Sequence, residues 1–108
     1  EMAAHVLGTR YELSLVICGD TLAQRMNATY RKKTYKPNVL SFPLDKENGE
    51  IFLNLRCAER EAKKYHVRVR DRAALLFVHG LYHLKGFDHG DKMESLERAT
   101  LKKFRFAV

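Results

Sequence analysis

The segment His79-Gly80-Leu81-Tyr82-His83-Leu84-Lys85-Gly86-Phe87-Asp88-His89 constrains this chain more than any other, because it places three imidazoles within eleven residues. His79 and His83 are four apart, so on a helix they share one side, one turn apart. Gly86 can take the left-handed conformation that ends a helix, after which the chain can turn back and bring His89 toward the other two. Three neutral nitrogens converging on one point make a tetrahedral zinc site with one position left for water. Nickel also accepts imidazole ligands. A helical register fits: Ala73, Leu76, Phe77, Leu81 and Leu84 form one apolar stripe between Arg72 and Leu84, with His79 and His83 on its flank.

The spacing His-x3-His-x2-Gly-x2-His is that of the metzincin peptidases. Those enzymes need a glutamate directly after the first histidine as general base. Here that position is Gly80. The ligand set is kept and the peptidase base is absent, which argues for a metal-dependent hydrolase of another kind.

The rest of the chain reads as alternating elements. Residues 1–7 are a helix closed by Gly8, with His5 on the surface. Tyr11 to Ile17 is a strand with Leu13, Leu15 and Ile17 on one face. Asp20 is the N-cap of a helix from Thr21 to about Tyr30, which buries Leu22, Met26 and Tyr30. Residues 38–42 and 49–55 are strands, the second with Ile51, Leu53 and Leu55 alternating. A helix over 58–66 turns Ala58, Ala62 and Tyr65 to the core, and His66 serves its terminus. After the metal helix, Asp91 caps a last helix on which Met93, Leu96 and Phe104 share a face. This order predicts an α+β fold: a small mixed β-sheet packed with helices, and a three-histidine site at the end of one of them.

The net charge is +7, from 20 Lys and Arg against 13 Asp and Glu, which suits a phosphate-rich partner. The cations cluster at Arg31 to Lys36 and at Arg68, Arg70 and Arg72. Cys18 and Cys57 form no C-x-x-C pair and read as reduced thiols of a cytosolic protein. No apolar run has the length of a membrane span, and no secretory signal pattern is read at the N-terminus.

The segment HGLYHLKGFDH resembles the signature HGxLHLxGYDH of the YbeY family of bacterial rRNA maturation factors. Tyr82 stands for a leucine and Phe87 for a tyrosine. Asn27-Ala28-Thr29-Tyr30-Arg31 and Val39-Leu40-Ser41-Phe42-Pro43 are similar to two further family segments. The resemblance covers most of the chain and implies a single metal-hydrolase domain over 1–108, short of part of the family's N-terminal segment. It implies a zinc-dependent, single-strand-specific endoribonuclease acting in 16S rRNA 3′-end maturation and ribosome quality control. The implied partners are an rRNA precursor, the small ribosomal subunit and its assembly factors, in the cytoplasm.

Within that resemblance Arg31 matches the family's catalytic arginine, which can clamp a phosphodiester. Lys32, Lys33 and Lys36, with Arg68 and Arg70, would contact RNA phosphates. Asp88 would orient a ligand imidazole or act as acid or base. Asn38 stands where the family has aspartate, which weakens the orientation of Arg31 if that aspartate supplies it. Ser41 is a strand hydroxyl near the cleft. Two other readings stay open: a ribosome-assembly factor whose zinc is structural, and a metal-dependent hydrolase of another substrate.

Overall fold

Three strands and five helices follow one another as α1 (Met2–Leu7), β1 (Glu12–Cys18), α2 (Asp20–Arg31), β2 (Val39–Pro43), β3 (Asn48–Asn54), α3 (Leu55–Tyr65), α4 (Val69–Lys85) and α5 (Asp91–Lys103). This computed structural model describes residues 1–106; positions 107 and 108, the end of the expected 1–108 domain, lie outside the described residues. The fold is α+β, with the element order expected from the sequence.

β3 is the middle strand, parallel to β1 and antiparallel to β2, so the sheet is mixed. A middle strand is covered on both faces, and Ile51, Phe52, Leu53 and Asn54 are all buried. Successive side chains point to opposite faces. Ile51 meets the core around α4, while Phe52 joins an edge-to-face aromatic ladder with Phe42 and Tyr30 of α2. Helix α4 thus lies on one face of the sheet and α2 on the other. Leu15 and Ile17 share the α4 side with Leu13, yet are 45% and 53% exposed. They lie on an edge strand, whereas α4 packs over β2 and β3.

Helix α4 is more deeply set than a single apolar stripe predicts. Ala74, Leu76, Val78, Gly80, Leu81 and Tyr82 are all buried, because α1, α3, α5 and the sheet surround it. Gly80 is where helix and sheet come closest. A Cβ there would stand 3.0 Å from Ser41 Oγ, 3.2 Å from Ile51 Cδ1 and 3.3 Å from Val39 Cγ2. Ser41 Oγ donates to the Gly80 carbonyl at 2.9 Å, so the strand hydroxyl fastens the helix to the sheet.

Several local expectations are corrected. Asp20 is not a cap: the cap residue of α2 is Gly19, and the Asp20 carboxylate is drawn away to the Arg60 guanidinium at 2.8 and 2.9 Å and to Asn54 Nδ2 at 2.9 Å. These bonds hold the Asp20 carboxyl well below the usual carboxylate range. The buried line of α2 is Ala23 and Asn27, with Leu22 and Met26 beside it, and Tyr30 is exposed. Asp91 likewise is the first residue of α5 and not its cap. Leu55 opens α3 instead of closing β3, because Asn54 ends the strand and caps the helix in one residue. Tyr65 turns outward and is 52% exposed. His66 ends α3 through its backbone, in a left-handed conformation.

Asn54 is fully buried. Its Oδ1 accepts from the Cys57 amide at 3.1 Å, and its Nδ2 donates to Asp20 and to the Pro37 carbonyl at 3.0 Å. Asn54→Ala removes a helix cap and leaves the Pro37 carbonyl without that donor, so a loss of about 2–4 kcal/mol is expected. Denaturant unfolding with an unchanged midpoint would contradict this role.

Candidate metal centre and its cleft

The left-handed turn expected after α4 is present. Gly86 has φ 106°, and its amide closes on the carbonyls of His83 and Tyr82. The chain reverses there, and the candidate ligand nitrogens of His79, His83 and His89 all lie within 4.8 Å of one another. His79 and His83 are half-buried and His89 is exposed.

The partners of the far ring nitrogens decide the tautomers. His83 Nδ1 lies 3.0 Å from the Phe87 carbonyl, and His79 Nδ1 lies 2.5 Å from Glu97 Oε2. A carbonyl or a carboxylate only accepts, so each Nδ1 carries the hydrogen. In the neutral rings both Nε2 atoms are then bare, and they face each other at 3.0 Å. Two lone pairs turned on one another are satisfied by a proton or a metal ion between them. Nitrogens bound to a tetrahedral zinc at 2.0–2.1 Å stand about 3.4 Å apart, so the group fits a metal ion. Burial, and after it the neighbouring His79, pushes the His83 imidazole below its ordinary value, which keeps it in the neutral, ligand-ready form at pH 7.

Glu97 was not singled out from the sequence. The residue is 7% exposed and sits on α5 between buried Met93 and Leu101, four residues from each. That charged interruption of an apolar line is the signal that could have found it. Asp88, expected to orient a ligand, is exposed and is not among the residues that line the cleft; the carboxylate against an imidazole is Glu97. Tyr82 tightens the same interface: its hydroxyl donates at 2.6 Å to Thr100 Oγ1, which itself donates to the Leu96 carbonyl.

The three histidines open into a cleft of about 670 Å³, whose wall includes Arg31, Tyr35, Asn38, Ser41 and Arg72. Arg31 is the last residue of α2, and Lys32 ends the helix at φ 56°. The following segment is fastened back to α2, because Asn27 Nδ2 donates to the Tyr35 carbonyl at 3.1 Å and Gln24 Nε2 to the Thr34 carbonyl at 3.0 Å. This gives Asn27 of the N-x-x-Y-R segment a physical task. Arg31 has no ion pair or side-chain hydrogen bond among the described residues.

The other predicted contacts are spread out. Lys32, Lys33 and Lys36 are exposed on the segment that follows Arg31 and are not among the residues that line the cleft. Arg68 and Arg70 are turned to buried Asp71, at 2.9 and 3.6 Å, and do not line the cleft. Arg72 does line it, half-buried, and its Nε donates to Glu61 at 2.8 Å. Asn38 Nδ2 donates to the other Glu61 oxygen at 3.1 Å. Burial works to raise the Glu61 carboxyl, but the bonds from Arg72 and Asn38 outweigh it and hold it below the usual range.

Fold and site together define a three-histidine α+β protein built in the manner of a metal-dependent hydrolase. The profile of the endoribonuclease YbeY family matches residues 1–105. The chain is 38% identical to the endoribonuclease YbeY of Bordetella petrii over 91% of its own length and 70% of that protein's. It is 35% identical to that of Aquifex aeolicus, over its full length and 81% of the relative. With that of Mycoplasma mycoides the identity is 38%, over 74% of this chain and 56% of the relative. A Thermotoga maritima protein solved in solution shares the fold at a TM-score of 0.68 and 17% identity, covering 96% of this chain and 79% of that one. The chain belongs to the endoribonuclease YbeY family. No helix among the described residues is long and apolar enough to cross a membrane.

Glu97→Gln keeps the volume but removes the charge that fixes the His79 tautomer. Metal affinity should fall about 10- to 100-fold with the fold retained; titration with a zinc indicator checks this, and an unchanged affinity would show that Glu97 does not act on His79. Because the His83 imidazole is held below its ordinary value of 6.5, protons compete for it only at still lower pH. Bound metal should therefore be retained at neutral pH and released on acidification below that value.

Proposed function

We propose that this protein is a zinc-dependent, single-strand-specific endoribonuclease that works in the cytoplasm on the 3′ end of 16S rRNA and in ribosome quality control, with the small ribosomal subunit and its assembly factors as partners. The observation that carries the reading is the meeting, in one cleft, of three convergent imidazoles and the unpaired guanidinium of Arg31. The relatives carry the name endoribonuclease, and a basic chain suits an RNA substrate.

His79, His83 and His89 hold the metal, with Glu97 and the Phe87 carbonyl setting the orientation of the first two. Bound zinc supplies a Lewis acid and brings the pKa of a coordinated water to about 7. Arg31 grips the scissile phosphate through two parallel N–H donors and neutralises the charge that grows on its oxygens in the transition state. Lys32, Lys33 and Lys36 hold the neighbouring backbone without regard to sequence. Arg68 and Arg70, tied to Asp71, contribute less than the sequence alone suggested.

A structural zinc site closes its fourth position with a protein ligand, commonly cysteine. The group here contains three ligands among the described residues, and Cys57 is spent on Glu61 at 3.5 Å. This favours an open catalytic position over an assembly factor with a sealed metal. A glutamate at Gly80 would face the sheet and not the histidines, which removes the peptidase reading on geometry.

Single-turnover cleavage of a short unstructured RNA tests the proposal. Chelation should abolish cleavage and zinc restore it. Arg31→Ala should slow it by about 100- to 1000-fold with metal content unchanged, and Arg31→Lys should restore only part, since an ammonium cannot make the paired contact. Cleavage that survives both chelation and the His79→Ala, His83→Ala, His89→Ala triple variant would end this reading.

A further inference from the structure

Beside the metal cleft a second cavity of about 390 Å³ opens where α3 ends, α4 begins and α5 passes across. Arg72, Leu75, Glu94 and Glu97 line both, so a single ridge divides them. The far wall of the second cavity is Tyr65, 52% exposed, and Val67, 42% exposed. Large apolar groups left in water beside a charged cleft call for a partner.

The wall has the makings of a stacking platform. The Arg72 guanidinium lies 4.8 Å from the Tyr65 ring centroid, and Glu61 fixes it there through Nε. The Lys64 ammonium also approaches the ring, at 5.4 Å, but Lys64 is not among the residues that line the cavity. Leu75 and Leu101 give the cavity an apolar side. Asp71, Glu94 and Glu97 repel a phosphate, but the Glu94 carboxylate can accept from the exocyclic amino group of a base. Leu75 precedes His79 by one helical turn, about 6 Å along the axis, within reach of a nucleotide flanking a phosphate in the metal cleft.

We propose that this cavity is a nucleobase subsite, in which an unpaired base of the RNA strand stacks on the Tyr65–Arg72 wall while a neighbouring phosphate occupies the metal cleft. The inference rests on the endoribonuclease reading and deepens it. A base engaged in a duplex cannot turn its face to the ring, so the subsite gives the preference for single strands a physical source.

The test uses the zinc-loaded protein and a fluorescein-labelled single-stranded 2′-O-methyl RNA, with each nucleotide in turn made abasic, read by anisotropy. Loss of the base at one position should weaken binding to the parent protein about 5- to 100-fold. Tyr65→Leu should lose sensitivity at that position, and Tyr65→Phe should keep it, since the ring and not the hydroxyl is used. An abasic profile that is the same in Tyr65→Leu and the parent overturns the proposal. Should Tyr65→Leu not fold, the parent series decides, because a profile with no single sensitive position also overturns it. Cleavage of unmodified RNA by the parent is measured alongside. If the parent cleaves while the Tyr65→Leu profile is unchanged, the subsite alone falls; if the parent neither binds nor cleaves, the endoribonuclease reading falls with it.

Discussion

Helix α4 lies so close to the sheet at Gly80 that even a methyl group would crowd Ser41, Ile51 and Val39, and this contact sets the direction of every functional group on the helix. A residue one position along a helix is turned by about 100°. With Gly80 against the strands, His79 is turned toward α5 and meets Glu97. His83 follows one turn later on the same side. Ser41 fastens the arrangement by donating to the Gly80 carbonyl, and Tyr82 holds α5 through Thr100. Close-packed interiors of this kind do not yield by small amounts, so the two imidazoles are aimed before any metal arrives.

That aim is made useful by charges placed around it. The bare nitrogens of His79 and His83 converge where positive charge is favoured, and buried Glu97 adds to that preference. Arg31 lines the same cleft, with no acidic partner among the described residues. Several other arginines are already answered: Arg60 by Asp20, Arg72 by Glu61, Arg68 and Arg70 by Asp71. The net charge of +7 is therefore a poor guide to where a phosphate goes. Side chains already turned to a carboxylate hold their charge at home, and of the two arginines that line the cleft, Arg31 and Arg72, only Arg72 is so engaged among the described residues.

The sequence carried the element order and the histidine cluster because both depend on local rules. A spacing of four on a helix, a left-handed glycine after it and short alternating runs are visible without any tertiary contact. What it did not carry was set by packing between distant segments. Asp20 and Asp91 have the residue type of helix caps, yet Asp20 is claimed by Arg60, forty residues on. Tyr65 falls on the right period for a core face, but α3 ends there and the ring turns out onto Arg72. Leu15 and Ile17 alternate like a buried strand, while strand order puts them at an edge. Glu97 was hidden because a charged residue in a helix reads as solvated face, and nothing local says that His79 lies across from it.

Asn38 is held by the same kind of long-range contact. Asn38 Nδ2 donates to one oxygen of Glu61 while Arg72 donates to the other. A carboxylate at position 38 would set two negative groups about 3 Å apart beside a single guanidinium, and like charges at that separation cannot both stay ionised without cost. The amide keeps Glu61 ionised and lets it hold Arg72 at the ridge between the two cavities. Arg31 takes its position from the end of α2 and from the loop that Asn27 and Gln24 fasten behind it. A guanidinium placed by backbone geometry and not by a carboxylate keeps its donors free for an anion in the cleft.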